Sequence, residues 1–258
     1  MFQIYQTFFY QPIFNLLVWL VNVIPGNDIG IAIILLTIII KGVLFPFSLK
    51  SIRSQRTLQQ LQPKVEALRK KYGNKKEEMA QELMKLYRTE KVNPLSSCLP
   101  LLIQLPFFIA VYRVFISGLT NGSFDLLYPF IENPGTISPV TLGFFDLSKP
   151  NIILALITGA AQFFQTKMMV GKRQPNIPGA GDERTMAAMN KQMTYMMPAI
   201  TVIIGISLPA GLILYWFVTT LLMIAQQHYT FKTHPAEKPA VVEGEVVEMV
   251  EKSEGKEE

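Results

Sequence analysis

Lys41 stands near the middle of an apolar run, Ile31 to Leu49, that is long enough to cross a membrane. About 20 apolar residues span the hydrocarbon core of a bilayer. A charge at that depth costs roughly 2.5–3.5 kcal/mol on insertion scales, so it usually has a polar partner or water beside it. Lys41 lies about nine residues, or roughly 13 Å, from the polar end at Lys50. A lysine stem reaches only part of that way. An ammonium facing a wet cavity would hold an anionic or strongly polar group. The plain alternative is a lysine tolerated by a local bilayer defect.

Four further apolar stretches each carry a polar side chain at a similar distance from one end: Gln104, Gln162, Thr201 and Thr219. With Lys41 they fall at a common depth, roughly 10–14 Å in by helix rise. Thr37 is added as a groove candidate on the Lys41 helix. Two readings compete. Gln and Thr are ordinary glue between membrane helices, worth about 0.6–2 kcal/mol each. Alternatively they line an aqueous pocket whose only charge is Lys41. The threonines suit glue, whereas glue has no need of the lysine. Phe107, Phe108, Tyr215 and Trp216 are candidates for a greasy wall, or else for packing and an interfacial belt.

These residues require membrane helices to position them. Half of the 258 residues are apolar, and the charges are segregated, which marks an integral membrane protein. Spans are predicted at about Ile31–Leu49, Ser97–Ile116 and Asn151–Val170. The stretch Met193–Ala225 is too long for one crossing and is predicted to break at Pro209-Ala210-Gly211 into two spans of about 16 residues. The start, residues 1–26, lacks the basic region of a secretory signal. Ile13, Leu16, Leu17, Leu20, Val21 and Ile24 recur there at helical spacing, which predicts an amphipathic interfacial helix.

Charge sets the orientation. Residues 50–91 hold twelve Lys and Arg, and residues 167–191 hold five, whereas 117–150 hold only Lys149. The first two loops are therefore expected in the cytoplasm, with the N-terminus outside and the C-terminus inside. Arg113 would snorkel at the outer end of its span. The insert 50–93 reads as two short amphipathic helices, from Pro63 to Tyr72 and from Lys75 to Arg88, joined at Gly73-Asn74. Its basic face would meet anionic lipid headgroups or dock a partner. The tail 233–258 has eight glutamates against three lysines and is expected to be disordered.

Some chemistries are excluded by pattern. Cys98 is the single cysteine, so no internal disulfide or cysteine cluster forms. There is no HExxH, P-loop or G-x-S-x-G, and His228 and His234 lie at or beyond the end of the last span. No enzyme activity, cofactor, metal or sequence-specific nucleic acid is expected. An acidic tail would be repelled by ribosomal RNA.

Several runs taken together carry a resemblance. They are NPLSSCLPLLIQLPFFIAVYRVF from Asn93, LTIIIKGVLFPFSLKS from Leu36, LQPKVEALRKKYG from Leu61, MTYMMPAI from Met193 and PAGLILYWFVTTLLMIAQQ from Pro209. Taken in their order along the chain, they resemble the YidC/Oxa/Alb family of membrane protein insertases, over about Ile13 to Tyr229. The resemblance implies an all-α membrane protein: a five-transmembrane-helix core over 27–232, with an N-terminal interfacial helix and a cytoplasmic helical hairpin. It implies a cytoplasm-open hydrophilic groove for inserting and folding membrane proteins, alone or beside the Sec translocon. Nascent membrane proteins, ribosome–nascent chain complexes and anionic lipids are the expected partners, and a bacterial cell membrane the expected location. The large outer domain and extra first helix of many Gram-negative members, and the lipoprotein signal of many Gram-positive ones, are expected to be missing. Lys41 matches the family's groove cation, which is usually arginine; lysine keeps the charge but loses the bidentate fork. The rival class is a small transporter or channel for an anionic solute. Such proteins more often show inverted repeats and interrupted helices.

Overall fold

The computed structural model describes residues 2–72, 75–90, 92–93, 99–118, 121–169 and 194–233. Cys98, the Gly73-Asn74 joint, most of the second basic loop, His234 and the acidic tail lie outside the described residues. The chain opens with a helical turn at Phe2–Tyr5 and a π-helical turn at Gln6–Tyr10, which lead into α1, Gln11–Val23. Then come α2 (Ile29–Gln60), α3 (Gln62–Tyr72), α4 (Lys76–Thr89) and α5 (Leu99–Arg113). A π-helical turn, Val114–Gly118, continues α5. After a short antiparallel hairpin come α6 (Ile152–Met169), α7 (Thr194–Gly205) and α8 (Ala210–Thr233).

Three of these helices, α2, α6 and α8, are long and apolar enough to cross a membrane; Ile103–Ile116 and α7 are shorter apolar helices. The most extensive packing joins α8 to α2 and to α6. Two helices outrun their predicted ends. α2 continues past Lys50 to Gln60, and α8 past Ala225 to Thr233. The residues beyond the apolar run are mostly good helix formers, and no proline interrupts α2 there until Pro63, just after its end. The predicted break at Pro209 is found: α7 ends at Gly205, a turn follows, and α8 begins at Ala210.

α1 makes contacts within the protein through both its apolar and its polar residues. Its apolar stripe, with Phe14, Leu17, Val18 and Val21 fully buried, packs into the protein's own core. Its polar residues do not simply face solvent. Asn15 donates to the Leu126 carbonyl at 3.0 Å and accepts from the Tyr128 N–H at 2.6 Å, and Gln11 donates to the same Leu126 carbonyl at 3.0 Å. Asn22 donates to the Glu132 carbonyl at 2.8 Å. α1 therefore clasps the 126–132 segment, whose irregular backbone needs external partners.

α3 and α4 pack against each other, and a Lys64–Glu90 ion pair at 2.8 Å bridges the start of α3 to the end of α4. Val65 and Leu68 are buried on α3, while the α4 stripe, Met79, Leu83 and Leu86, is only half-buried.

The hairpin pairs β1 (Val140–Thr141) with β2 (Phe145–Asp146), in the register Thr141 opposite Phe145 and Val140 opposite Asp146. Its turn is closed by the Phe144 N–H on the Thr141 carbonyl at 3.3 Å, with Leu142 at φ +53° and Gly143 at φ +81°. Glycine takes that conformation freely, whereas leucine loses roughly 1–2 kcal/mol there.

Asp28 joins the hairpin to α2. Its carboxylate caps the helix, accepting from Gly30 N–H at 2.8 Å and Ile31 N–H at 3.1 Å. It also accepts the Leu142 N–H at 2.7 Å and the Thr141 hydroxyl. A Cβ at position 30 would collide with the Thr141 side chain, so only glycine lets the strand come this close. Burial alone would raise the Asp28 pKa; the four donors outweigh it and hold the carboxyl below its usual range. A depressed carboxylate contributes stability above its unfolded pKa and loses it as pH falls through the folded value. Asp28→Ala is expected to lower the thermal midpoint in detergent at pH 7, by a change equivalent to about 1–2 kcal/mol for a lost cap. The difference from wild type should shrink once pH drops below about 4. A gap between the two melting curves that persists undiminished in acid would contradict the assignment.

Candidate functional site: a cation in a polar chain across three helices

Lys41 comes from α2, Gln104 from α5, and Tyr215 and Thr219 from α8. The Lys41 ammonium donates to Gln104 Oε1 at 2.9 Å. The Gln104 amide nitrogen then donates to the Tyr215 phenol oxygen. Tyr215 is 1% exposed, and Thr219, one turn further along α8, is also buried. The chain ties together three helices, α2, α5 and α8. Each link uses a group that costs about 1–3 kcal/mol if buried without a partner.

Gln104 is neutral, so it satisfies a hydrogen of Lys41 without cancelling the charge. Among the described residues no carboxylate pairs with Lys41. Beside Lys41 a cavity of about 480 Å³ runs between α2 and α8, with Gly42 and Phe45 on one wall and Leu222, Gln226 and Tyr229 on the other. It extends from Lys41 toward the end of α2 that leads into the basic insert. Pro46 lies within α2 and has no N–H for the Gly42 carbonyl one turn earlier. At the far end, Gln226 donates to Ser48 Oγ at 2.8 Å and to the Phe45 carbonyl at 3.3 Å. The site is thus a mostly apolar trough with an ammonium at one end that no carboxylate among the described residues balances, and amide and hydroxyl groups at the other.

Gln104→Leu is expected to destabilise the fold by about 1–3 kcal/mol, because it strips both the ammonium and the phenol of a partner. Tyr215→Phe removes only one end of the chain and should cost less. Thermal unfolding in one detergent, at matched concentration, orders the two. An equal loss for both would show that the link from Lys41 to Gln104 adds nothing to stability.

The remaining predicted site residues fall in different places. Thr37 is buried, and its hydroxyl donates to the Ile33 carbonyl of its own helix at 2.6 Å, so it offers nothing to the trough. Gln162 accepts from the Thr201 hydroxyl and so joins α6 to α7, apart from the Lys41 chain. Those two helices approach closely: a Cβ at Gly159 would collide with Val202. Tyr215, read as part of a greasy wall, is sealed inside with its phenol in the polar chain. Phe108 and Trp216 do meet, edge to face at 5.4 Å, bridging α5 and α8, and both are half-buried. Phe107 instead packs edge to face on Phe9 at 5.7 Å. Arg113 holds its guanidinium 5.7 Å from the Tyr5 ring.

Sequence reasoning missed Gln226, Ser48 and the carbonyl freed by Pro46. A signal was present for Gln226 and for Pro46. Gln226 shares a helical face with Leu222 and Tyr229, and a proline four residues after a glycine frees a carbonyl in any helix.

Fold and site together define a helical membrane protein with several apolar helices around a buried polar chain. Residues 19–237 match the model of the 60Kd inner membrane protein family. A membrane protein insertase YidC of Fusobacterium nucleatum is 33% identical over 229 residues, which cover 88% of this chain and 98% of that one. The chain belongs to this family. YidC insertases of Syntrophobacter fumaroxidans and Ectopseudomonas mendocina are each 37% identical, over 86% and 90% of this chain. The chain spans only 38% and 36% of their lengths. A crystal structure of active YidC insertase, with its first transmembrane domain resolved, superposes with TM-score 0.55 at 29% identity. That match covers 87% of this chain and 46% of the other.

Proposed function

We propose that this protein inserts membrane proteins into the bilayer and helps them fold. The observation that supports the reading most directly is the Lys41 ammonium on Gln104, at one end of a trough between α2 and α8. A weakly hydrophobic substrate enters from the side of the basic insert. Lys41 solvates its polar outer segment partway across, which shortens the apolar barrier. Phe108 and Trp216 then offer a surface along which the apolar helix moves into lipid. Partition into lipid drives the process at about 25 cal/mol per Å² buried, with no nucleotide hydrolysed by this chain.

The same proposal includes the topology. α2, α5, α6, α7 and α8 are the five spans of a core over 27–232, with residues 1–26 as an interfacial element. The N-terminus is outside, and the C-terminus, the α3–α4 hairpin and the 233–258 tail are in the cytoplasm, as the positive-inside rule requires. The hairpin's basic residues meet anionic headgroups and arriving chains. Ribosome–nascent chain complexes and the Sec translocon are the proposed larger partners.

Purified protein in liposomes, supplied with a short single-span substrate, tests the proposal. Protease protection of the substrate well above that in empty liposomes is expected. No gain over empty liposomes, together with saturable uptake of an anionic solute, would favour the transporter.

A further inference from the structure

The hairpin at residues 140–146 lies apart from the polar chain, and its tip is apolar. Leu142 is 68% exposed and Phe144 79% exposed. Leu142 occupies a left-handed position, φ +53°, where asparagine or glycine is the ordinary choice. A turn facing water gains nothing from leucine there. Nor is the tip loosely tethered. The Leu142 N–H and the Thr141 hydroxyl both bond to Asp28, the residue that caps α2. The tip is therefore fixed at the level where a membrane-crossing helix begins, which is the boundary between headgroups and acyl chains.

The surroundings at that level are apolar too. Ile31 on α2, and Ile152 and Ile153 at the start of α6, are exposed. Behind the tip a cavity of about 220 Å³ is walled mainly by hydrocarbon, including Ile34, Leu142, Phe144, Leu154 and Leu214. Just past the tip, Asp146 and Lys149 pair at 2.9 Å, a charged rim suited to headgroup depth.

We propose that the hairpin is a membrane wedge. Leu142 and Phe144 sit in the acyl region of the leaflet at the N-terminal end of α2, and a lipid chain fills the cavity behind them. Under the proposed topology this is the outer leaflet. The inference rests on α2 crossing the bilayer and not on insertion activity.

Cys98 is the only cysteine, so a Cys98→Ser background accepts single nitroxide labels at Leu142→Cys or Phe144→Cys. The probes are molecular oxygen and a neutral water-soluble nickel chelate, applied to vesicles of phosphatidylethanolamine and phosphatidylglycerol. At both sites oxygen collisions are expected to exceed nickel collisions severalfold. Labels reached mainly by nickel would overturn the wedge in favour of a water-facing turn. Immobilised labels shielded from both reagents would overturn it in favour of a protein partner, such as a second copy. Insertion by unlabelled protein in the same vesicles separates the two readings. Nickel-accessible labels beside active protein refute the wedge alone, and oxygen-accessible labels beside inactive protein support the wedge and refute insertion.

Discussion

Replacing Lys41 with alanine is expected to slow insertion of a substrate with polar or acidic residues in its outer segment by about tenfold or more. A charge-assisted hydrogen bond contributes about 1.5–3 kcal/mol, and each 1.4 kcal/mol is a decade in rate. A substrate whose outer segment is wholly apolar gains nothing from the ammonium and should insert at its usual rate. Lys41→Arg keeps the charge and adds a planar fork for carboxylates, so it should match or exceed wild type. Protein levels and melting must be measured alongside, because Gln104 loses its partner in the alanine variant. An undiminished rate for the acidic substrate, with protein levels normal, would remove electrostatics from the mechanism.

The second large effect concerns Gly211, at the start of α8. In an ordinary helix, glycine to alanine is stabilising by about 1 kcal/mol. Here the sign should reverse. A Cβ at position 211 would collide with the ring of Phe115, which is itself buried. The backbone cannot retreat easily: Gly211 N–H donates to the Leu147 carbonyl and Ala210 N–H to the Lys149 carbonyl, each at 2.9 Å. Overpacking of this kind costs about 1–3 kcal/mol. Gly211→Ala should therefore lower the thermal midpoint in detergent, and Gly211→Leu should lower it further. Phe115→Leu should recover part of the loss, as coupling between touching residues predicts. A rise in the midpoint for Gly211→Ala would mean that the ring does not lie against the helix.

How far the sequence could be read depends on what each residue needed in order to be understood. The break between α7 and α8 was legible because proline and glycine act locally. The ends of α2 and α8 were not. Hydropathy marks where hydrocarbon stops, and a helix made of Ser, Arg and Gln has no reason to stop with it. The depth argument leads from Lys41 to Gln104, since two polar groups buried at one level in adjacent helices tend to find each other. Gln162 lies at a similar depth but has a hydroxyl partner in Thr201. Depth gives the level of a residue along a helix and says nothing of its azimuth. Tyr215 reads with the aromatics because its ring is visible in the sequence, whereas the partner of its phenol is not. The roles of Gln11, Asn15 and Asn22 are hidden for a similar reason. Their acceptors and donors lie more than a hundred residues away, on backbone with no sequence signature.

α2 is one unbroken helix of 32 residues that carries Lys41 in its apolar half and ends at the joint with α3. From Lys41 to Gln60 it is a rod of roughly 28 Å. The ammonium and the joint to α3 therefore sit on one helix with the proline notch at Pro46 between them, so a bend at that notch would shift one relative to the other.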